Sequence, residues 1–234
     1  MIPQRCPFCQ SPDIVKNGHT PDGRQKFHCK ACQRYSTLDR LDAQRQAKWE
    51  QVEKLHLERV SQRGIARVTG LSRSTIIAWL KKKAVSQPPP PPNLPDQPEI
   101  ECDELWSFVG DKGHQVWLWL AIERTTGLIV AWVCGDRSEH SARLLWEALP
   151  RHVRHHAQFY TDGWEAYQNV FPVTRHWICP KGSGGTSRVE GRNTTLRQRI
   201  SALVRRTCSF SRDLLLHTIR IQLFIDHLNA ELSV

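Results

Sequence analysis

Four cysteines restrict the first forty residues to a narrow set of folds. They fall as Cys6-x2-Cys9 and Cys29-x2-Cys32, with 19 residues between the pairs. Each pair makes a short knuckle that aims two thiolates at one point. Two such knuckles complete a tetrahedral site for Zn2+ with no open position, so this zinc is structural. Asn17-Gly18 and Pro21-Asp22-Gly23 supply turn signals for a small β-ribbon between the knuckles. Four thiolates close the shell, which makes His19 and His28 bystanders. The other cysteines, Cys102, Cys134, Cys179 and Cys208, lack ligand spacing and are expected as small buried apolar residues.

Charge is distributed unevenly. Residues 1–99 carry 17 Lys/Arg against 9 Asp/Glu, residues 100–180 carry 7 against 10, and residues 181–206 carry 7 against 1. An acidic, apolar middle flanked by basic segments, at a formal net charge of +10, suggests a catalytic core between parts that grip a polyanion. The opening Met1-Ile-Pro-Gln-Arg-Cys6 has no apolar signal region, and the apolar runs Val116–Ile122 and Leu128–Cys134 are strand-length. A soluble cytosolic protein not associated with membranes is therefore expected. In that compartment cysteines favour metal over disulfides.

Four parts are expected: a zinc ribbon at 1–40, a helical region at 41–85, a linker at 86–98 and an α/β domain at 99–234. Within the helical region, Ser61 to Lys83 has the layout of a helix-turn-helix. Ala66 is small at the helix crossing, Gly70 permits the turn, and Ser72 or Ser74 can cap the second helix. Ile76, Trp79 and Leu80 form its buried side. Ser72, Arg73, Ser74, Ile77, Ala78 and Lys81 are left to face a DNA groove, with Lys82 and Lys83 near phosphates. A plain helical hairpin with a basic end is the competing reading. The run Pro88–Pro92 precludes helix or sheet, and thirteen residues of polyproline-like linker would span roughly 40 Å as a semi-rigid spacer.

In the last part, Glu99–Val109, Gln115–Ile122 and Leu128–Val133 are expected as strands, turning at Gly113-His114 and Thr125-Thr126-Gly127. Helix Ser138–Leu149, strand Gln158–Thr161, helix Gly163–Val170, strand Val173–Ile178, a basic helix from Ser187 and a last helix Ser209–Leu232 follow. Three consecutive strands, then alternating helices and strands, is the order of a ribonuclease H-like mixed five-stranded sheet with flanking helices. Its first and fourth strands are neighbours. Asp103, in Ile100-Glu-Cys-Asp-Glu-Leu-Trp106, and Asp162, in Phe159-Tyr-Thr-Asp-Gly-Trp164, would thus meet over one edge.

A third carboxylate, Glu190, stands among six arginines between Thr186 and Arg206. Arginines attract phosphate, while converging carboxylates can hold two Mg2+ or Mn2+ ions about 3.5–4 Å apart. Glu190, Asn193 and Arg197 share one helical face beside the apolar stripe of Val189, Leu196, Ile200 and Leu203. Each acid also has a structural reading. Ser187-Arg-Val-Glu190 is a capping box, Asp162 can serve the turn before Gly163, and Asp103 can pair with an arginine. Glu104 can share the first ligand role, and Glu101 on the same strand is a further rival to Asp103. Trp106 and Trp164 can stack on a base or pack in the core. The Gly182–Gly185 loop either lets the helix close on DNA or simply connects.

Together the segments Cys102-Asp-Glu-Leu-Trp-Ser-Phe108, Tyr160-Thr-Asp-Gly-Trp164 and Arg188-Val-Glu-Gly-Arg-Asn193 resemble the DDE transposases of the insertion sequence one family. The ribbon and helix-turn-helix resemble that family too, although its members often occur as two overlapping reading frames and this chain is continuous. The resemblance implies that Asp103, Asp162 and Glu190 bind two catalytic Mg2+ or Mn2+ ions and that Arg197 is a basic contact. It implies an enzyme that binds terminal inverted repeats, cuts them and joins them to target DNA, as a homo-oligomer on double-stranded DNA. Arg188, Arg192 and Asn193 join the DNA contacts. The alternatives are a DNA-binding regulator with an inactive domain, and a structure-specific nuclease or resolvase.

Overall fold

The computed structural model describes residues 5–37, 40–86, 93–180, 182–206 and 209–233, in two compact units, Met1–Leu55 and His56–Val234. Cys208 and the whole run Pro88–Pro92 lie outside the described residues. In the first unit β1 (Ile14–His19), β2 (Gln25–Cys29) and β3 (Tyr35–Ser36) form an antiparallel sheet in that order. The hairpin turns at Thr20–Arg24, where the Thr20 N–H donates to the Arg24 carbonyl at 2.8 Å. Asn17-Gly18 is not the turn its composition suggests. Gly18 sits inside β1 with φ +64, beside a register shift between Lys16 and His19. A glycine in that conformation accommodates a bulge. Helix α1 (Arg40–Leu57) carries the chain into the second unit.

The second unit begins with α2 (Gln62–Thr69) and α3 (Arg73–Ser86). Ser61 Oγ accepts the Gly64 N–H at 3.1 Å, and Ser72 Oγ accepts the Thr75 N–H at 3.1 Å. Each hydroxyl thereby satisfies an otherwise unpaired donor at a helix start. Gly70 closes α2 at φ +69, its N–H on the Ala66 carbonyl. Ile65, Ile76 and Leu80 are buried. Helix α3 packs on the last helix, α8 (Leu214–Leu232), where the Gln222 amide donates to the Ala84 carbonyl at 3.0 Å. The helix pair and the sheet therefore share one compact unit. Beyond the prolines the chain docks on the sheet, with the Pro98 carbonyl accepting from Gln158 N–H at 3.0 Å.

Five strands follow: β4 (Glu99–Val109), β5 (Asp111–Glu123), β6 (Ile129–Gly135), β7 (Gln158–Thr161) and β8 (His176–Ile178), in the order β6-β5-β4-β7-β8. The first three are antiparallel, β7 runs parallel to β4, and β8 parallel to β7. This is the order and direction that a ribonuclease H-like sheet requires. Alternation along the strands divides the core. Ile100, Cys102 and Trp119 face a cluster with Leu145, Tyr167 and Phe171, from the side of α4 (Glu139–Ala148) and α6 (Glu165–Gln168). Leu105, Leu118 and Leu120 face Val189, Leu196 and Phe224, from α7 (Ser187–Arg199) and α8.

Several boundaries differ from expectation for local reasons. The β4–β5 hairpin turns on Gly110, at φ +78, with Val109 paired to Asp111, so Gly113-His114 falls within β5. Helix α5 (Arg151–His156) follows Pro150, and a 3-10 turn at Val173–Arg175 shortens the fifth strand. Gly163 has φ +86, which confines the Gly163–Val170 helix to the single turn of α6. Ser211 bridges to Val109, so α8 starts only after Asp213, which caps it by accepting the Leu216 N–H.

Candidate active site

Cys6 and Cys32 place their Sγ atoms 3.6 Å apart, as do Cys9 and Cys29, and all four lie within 4.8 Å of one another. Tetrahedral zinc with Zn–S bonds of about 2.3 Å requires sulfurs roughly 3.8 Å apart, so the thiolates fit that ion. His28 stacks on Tyr35 at 4.6 Å, and His19 is exposed on β1.

In the second unit, neighbouring acids on β4 face opposite sides of the sheet. Asp103 Oδ2 accepts from Asn193 Nδ2 on α7 at 2.6 Å. The carboxyl is pushed up to about 7, first by burial, next by the charge of Glu104, and further by those of Asp162 and Glu190. Asp103 thus lies within electrostatic reach of every acid proposed from sequence, and it has no arginine partner among the described residues. Glu104 points to the other side, where Arg137 Nη2 donates to its Oε2 at 3.2 Å. The Arg137 guanidinium lies between the rings of Trp164, at 4.1 Å, and Trp117, at 4.6 Å. Trp164 therefore packs on this cation, and Trp106 contacts Phe108. Burial, followed by the charge of Asp162, also raises Glu104.

Asp162 is exposed at the end of β7, and its Oδ1 accepts the Trp164 N–H at 3.1 Å. The turn role thus coexists with a free carboxylate face. A Cβ on Gly163 would lie 2.7 Å from Ile178 Cγ2, so this turn needs glycine for space as well as for its φ. Glu190 is exposed in the first turn of α7. The capping box from Ser187 is not formed. The helix is preceded by Thr186, whose hydroxyl donates to Glu190 Oε1 at 3.3 Å. Asp103, Asp162 and Glu190 do not form a closed metal-ligand cluster among the described residues. Among the described residues, the thiolates are the group of three or more such ligands within 4.8 Å of one another.

Glu101, in the sequence only a rival to Asp103, instead fixes this edge. Glu101, 1% exposed, accepts the Val189 N–H at 2.9 Å and Arg124 Nε at 2.8 Å. Arg124 also reaches Glu99 and the Gly185 carbonyl and lies 3.8 Å from the Tyr160 ring. It ties β4, β5, β7 and the loop before α7 together. The available signal was an acid two residues from Asp103 on the same strand face.

The basic residues divide by use. Arg192 donates to the Gly127 carbonyl at 2.9 Å, while Arg197 donates to Leu203 and Trp106 carbonyls at 2.8 and 3.3 Å. Both guanidiniums brace α7 against the sheet. Arg188 is exposed and commits its Nε to the Arg124 carbonyl. On α3, Ser72, Arg73, Ser74, Ala78 and Lys82 are exposed, while Ile77, Lys81 and Lys83 are partly exposed. The sequence-derived groove face thus remains on the outside of the helix, with the Ser72 hydroxyl occupied as a cap. Cys102 is buried, whereas Cys134 and Cys179 are only partly so.

The IS1 transposase family model matches residues 99–230, the segment that builds this sheet and both late helices. The chain belongs to the IS1 transposase family. The insertion element iso-IS1n protein InsB of Shigella dysenteriae is 38% identical over 54% of this chain and 92% of its own length. The insertion element IS1 4 protein InsB of Escherichia coli K12 is 36% identical over 50% of this chain and 67% of its own. An intasome structure from simian T-cell lymphotropic virus, in complex with a PP2A regulatory subunit, matches at TM-score 0.38 and 15% identity. It covers 72% of this chain and 66% of that one, a likeness too low to carry an inference. Transposase function follows from the family. No helix among the described residues is long and apolar enough to cross a membrane.

Proposed function

We propose that this IS1-family transposase cuts and rejoins double-stranded DNA at a divalent-metal centre on Asp103, Asp162 and Glu190. What supports the reading is the half-buried Asp103 on β4, held by Asn193 Nδ2 at 2.6 Å, with the charges of Asp162 and Glu190 near enough to raise its carboxyl. An all-oxygen set of this kind suits Mg2+ or Mn2+. Asn193 Oδ1 is buried and unpartnered beside Asp103, which fits a polar ligand at this edge. Two bound ions would supply Lewis-acid activation of the attacking and leaving oxygens.

The chain's own residues perform the remaining tasks. Asn193 orients Asp103 through its 2.6 Å bond, and Glu101 anchors the first turn that carries Glu190. Arg192 and Arg197 brace that helix, while the exposed Arg188, whose Nε is held by the Arg124 carbonyl, would meet phosphate with its remaining donors. Attack by water and then by a freed 3′-hydroxyl needs no protein nucleophile, so no serine or tyrosine is assigned. Glu104, turned to the opposite face with Arg137, is the weaker candidate for the first ligand. Cys6, Cys9, Cys29 and Cys32 would hold structural zinc, and the ribbon with the α2–α3 helix-turn-helix would recognise terminal inverted repeats. Joining two ends implies a homo-oligomer on DNA, acting at the nucleoid in the cytoplasm.

The test is incubation with duplexes carrying the element's ends, target DNA and Mn2+. End cleavage followed by joining is the expected result. Cleavage without joining would indicate a nuclease or resolvase, and binding without either would indicate a regulator.

A further inference from the structure

A second basic feature lies away from the carboxylates. A cleft of about 390 Å³ opens where the first turn of α2 and the start of α3 approach the loop before α8. Arg63, Arg73, Arg212 and Arg220 line it, together with His56 and Ser211, and no carboxylate among the described residues does. Arg63, Arg73 and Arg212 are exposed. Arg220 is partly buried, and its guanidinium is held by neutral oxygens alone. It donates to Ser201 Oγ at 2.7 Å, the Ser209 carbonyl at 3.2 Å and Ser211 Oγ at 3.3 Å. Burial lowers its pKa, and burial with the charge of Arg220 lowers His56 to about 4, so this imidazole is neutral near pH 7.

Four guanidiniums around one concavity repel one another, and partial burial of Arg220 adds a desolvation cost. Neither cost is offset by an acid lining the cleft. An anion bound there would offset both, and phosphate matches the planar donor array of arginine. The cleft also has a structural location suited to DNA. Its floor loop is fixed to the end of β4, where the Gly110 N–H donates to the Ser211 carbonyl at 2.8 Å, while its other wall belongs to the α2–α3 pair.

We propose that this cleft binds backbone phosphate of double-stranded DNA, as a contact that adjoins the α3 groove face through Arg73 and is separate from the carboxylate centre. It couples DNA held by the helix pair to the sheet that bears Asp103. The proposal rests on the DNA-acting reading above, but its readout is binding rather than chemistry.

The test uses the full chain carrying R63A and R212A, both changes being at exposed side chains, with R63K and R212K as the charge-preserving control. Binding of an end-bearing duplex is measured by fluorescence anisotropy across a salt series, with folding checked by circular dichroism. Loss of two phosphate contacts should flatten the slope of log Kobs against log salt by about 1.8, at about 0.9 per contact. The lysine variant should retain most of the slope. An unchanged slope in a folded R63A/R212A protein overturns the proposal. Stabilisation by millimolar inorganic phosphate that those substitutions abolish, with the DNA slope unchanged, would also overturn it and reassign the cleft to a free phosphate. The cleavage-and-joining assay is read separately, so normal joining beside an unchanged slope rejects the cleft alone.

Discussion

Glu101 on the middle strand accepts the main-chain N–H of Val189 at 2.9 Å, 88 residues later, in the first turn of α7. One carboxylate therefore satisfies an unpaired donor at the start of the helix and places negative charge at its positive end. The same carboxylate accepts Arg124, which grips the Gly185 carbonyl in the preceding loop. The position of Glu190 depends on this junction more than on a cap within its own helix.

Removing Glu101 should consequently damage both stability and chemistry. Glu101→Ala leaves Arg124 with only part of its compensation and unpairs the Val189 N–H. A loss of about 3 kcal/mol is expected in urea denaturation. Glu101→Gln, which keeps an acceptor, should lose less. Joining activity of E101A, assayed below its melting temperature, should fall more than its DNA affinity. Equal stability of E101A and the unaltered protein would contradict this role.

Asp103 predicts a pH dependence with a definite sign. Its carboxyl titrates near 7 in the folded protein against a reference of 3.8, because burial and neighbouring acids disfavour its charge. Below about pH 4 it is neutral in both states and costs nothing. As pH rises from about 4 to about 7 the unfolded state ionises first, so folding stability is lost. The full penalty, on the order of 4 kcal/mol, is reached above pH 7. Without added Mg2+ or Mn2+, Asp103→Asn should therefore match the unaltered protein near pH 4 and exceed its stability at pH 8. Parallel stability curves across that range would refute the assignment.

The sequence was legible where side-chain chemistry is local. The cysteine spacing located the thiolate cluster, Gly70 and Ser72 marked the turn and cap between α2 and α3, and the strand sequence implied the β6-β5-β4-β7-β8 order. It was less legible where a distant partner decides. Gly113-His114 resembles a turn, but Gly110 takes it, with Ser211 accepting the Gly110 N–H. Ser187-x-x-Glu190 has a capping pattern, yet the donor at that helix start is satisfied by Glu101. Arg192 and Arg197 look like phosphate ligands until Gly127, Leu203 and Trp106 carbonyls are seen to accept them. The proline run suggested separation, whereas α3 returns to pack on α8.

That packing changes what can be dissected. Cys29→Ser, or zinc removal, should unfold the ribbon and weaken end binding while leaving the melt of His56–Val234 intact. A fragment of residues 99–234 lacks α3, whose buried Ile76 and Leu80 lie in the same unit. It should be less stable than 56–234 by roughly 3 kcal/mol or more. Calorimetry of the two fragments decides this, and equal stability would restore the linker as a true boundary.

If Asp103, Asp162 and Glu190 form one centre, they act together on DNA. The most direct measurement is single-turnover cleavage and joining, in Mn2+, on preformed complexes of the end duplex with D103N, D162N and E190Q. Each variant should bind the duplex with unaltered affinity yet lose at least about a thousandfold in both steps, as expected when one member of a joint site is removed. Joining by E190Q at the unaltered rate would leave Glu190 as a helix-start residue only and contradict the proposed centre.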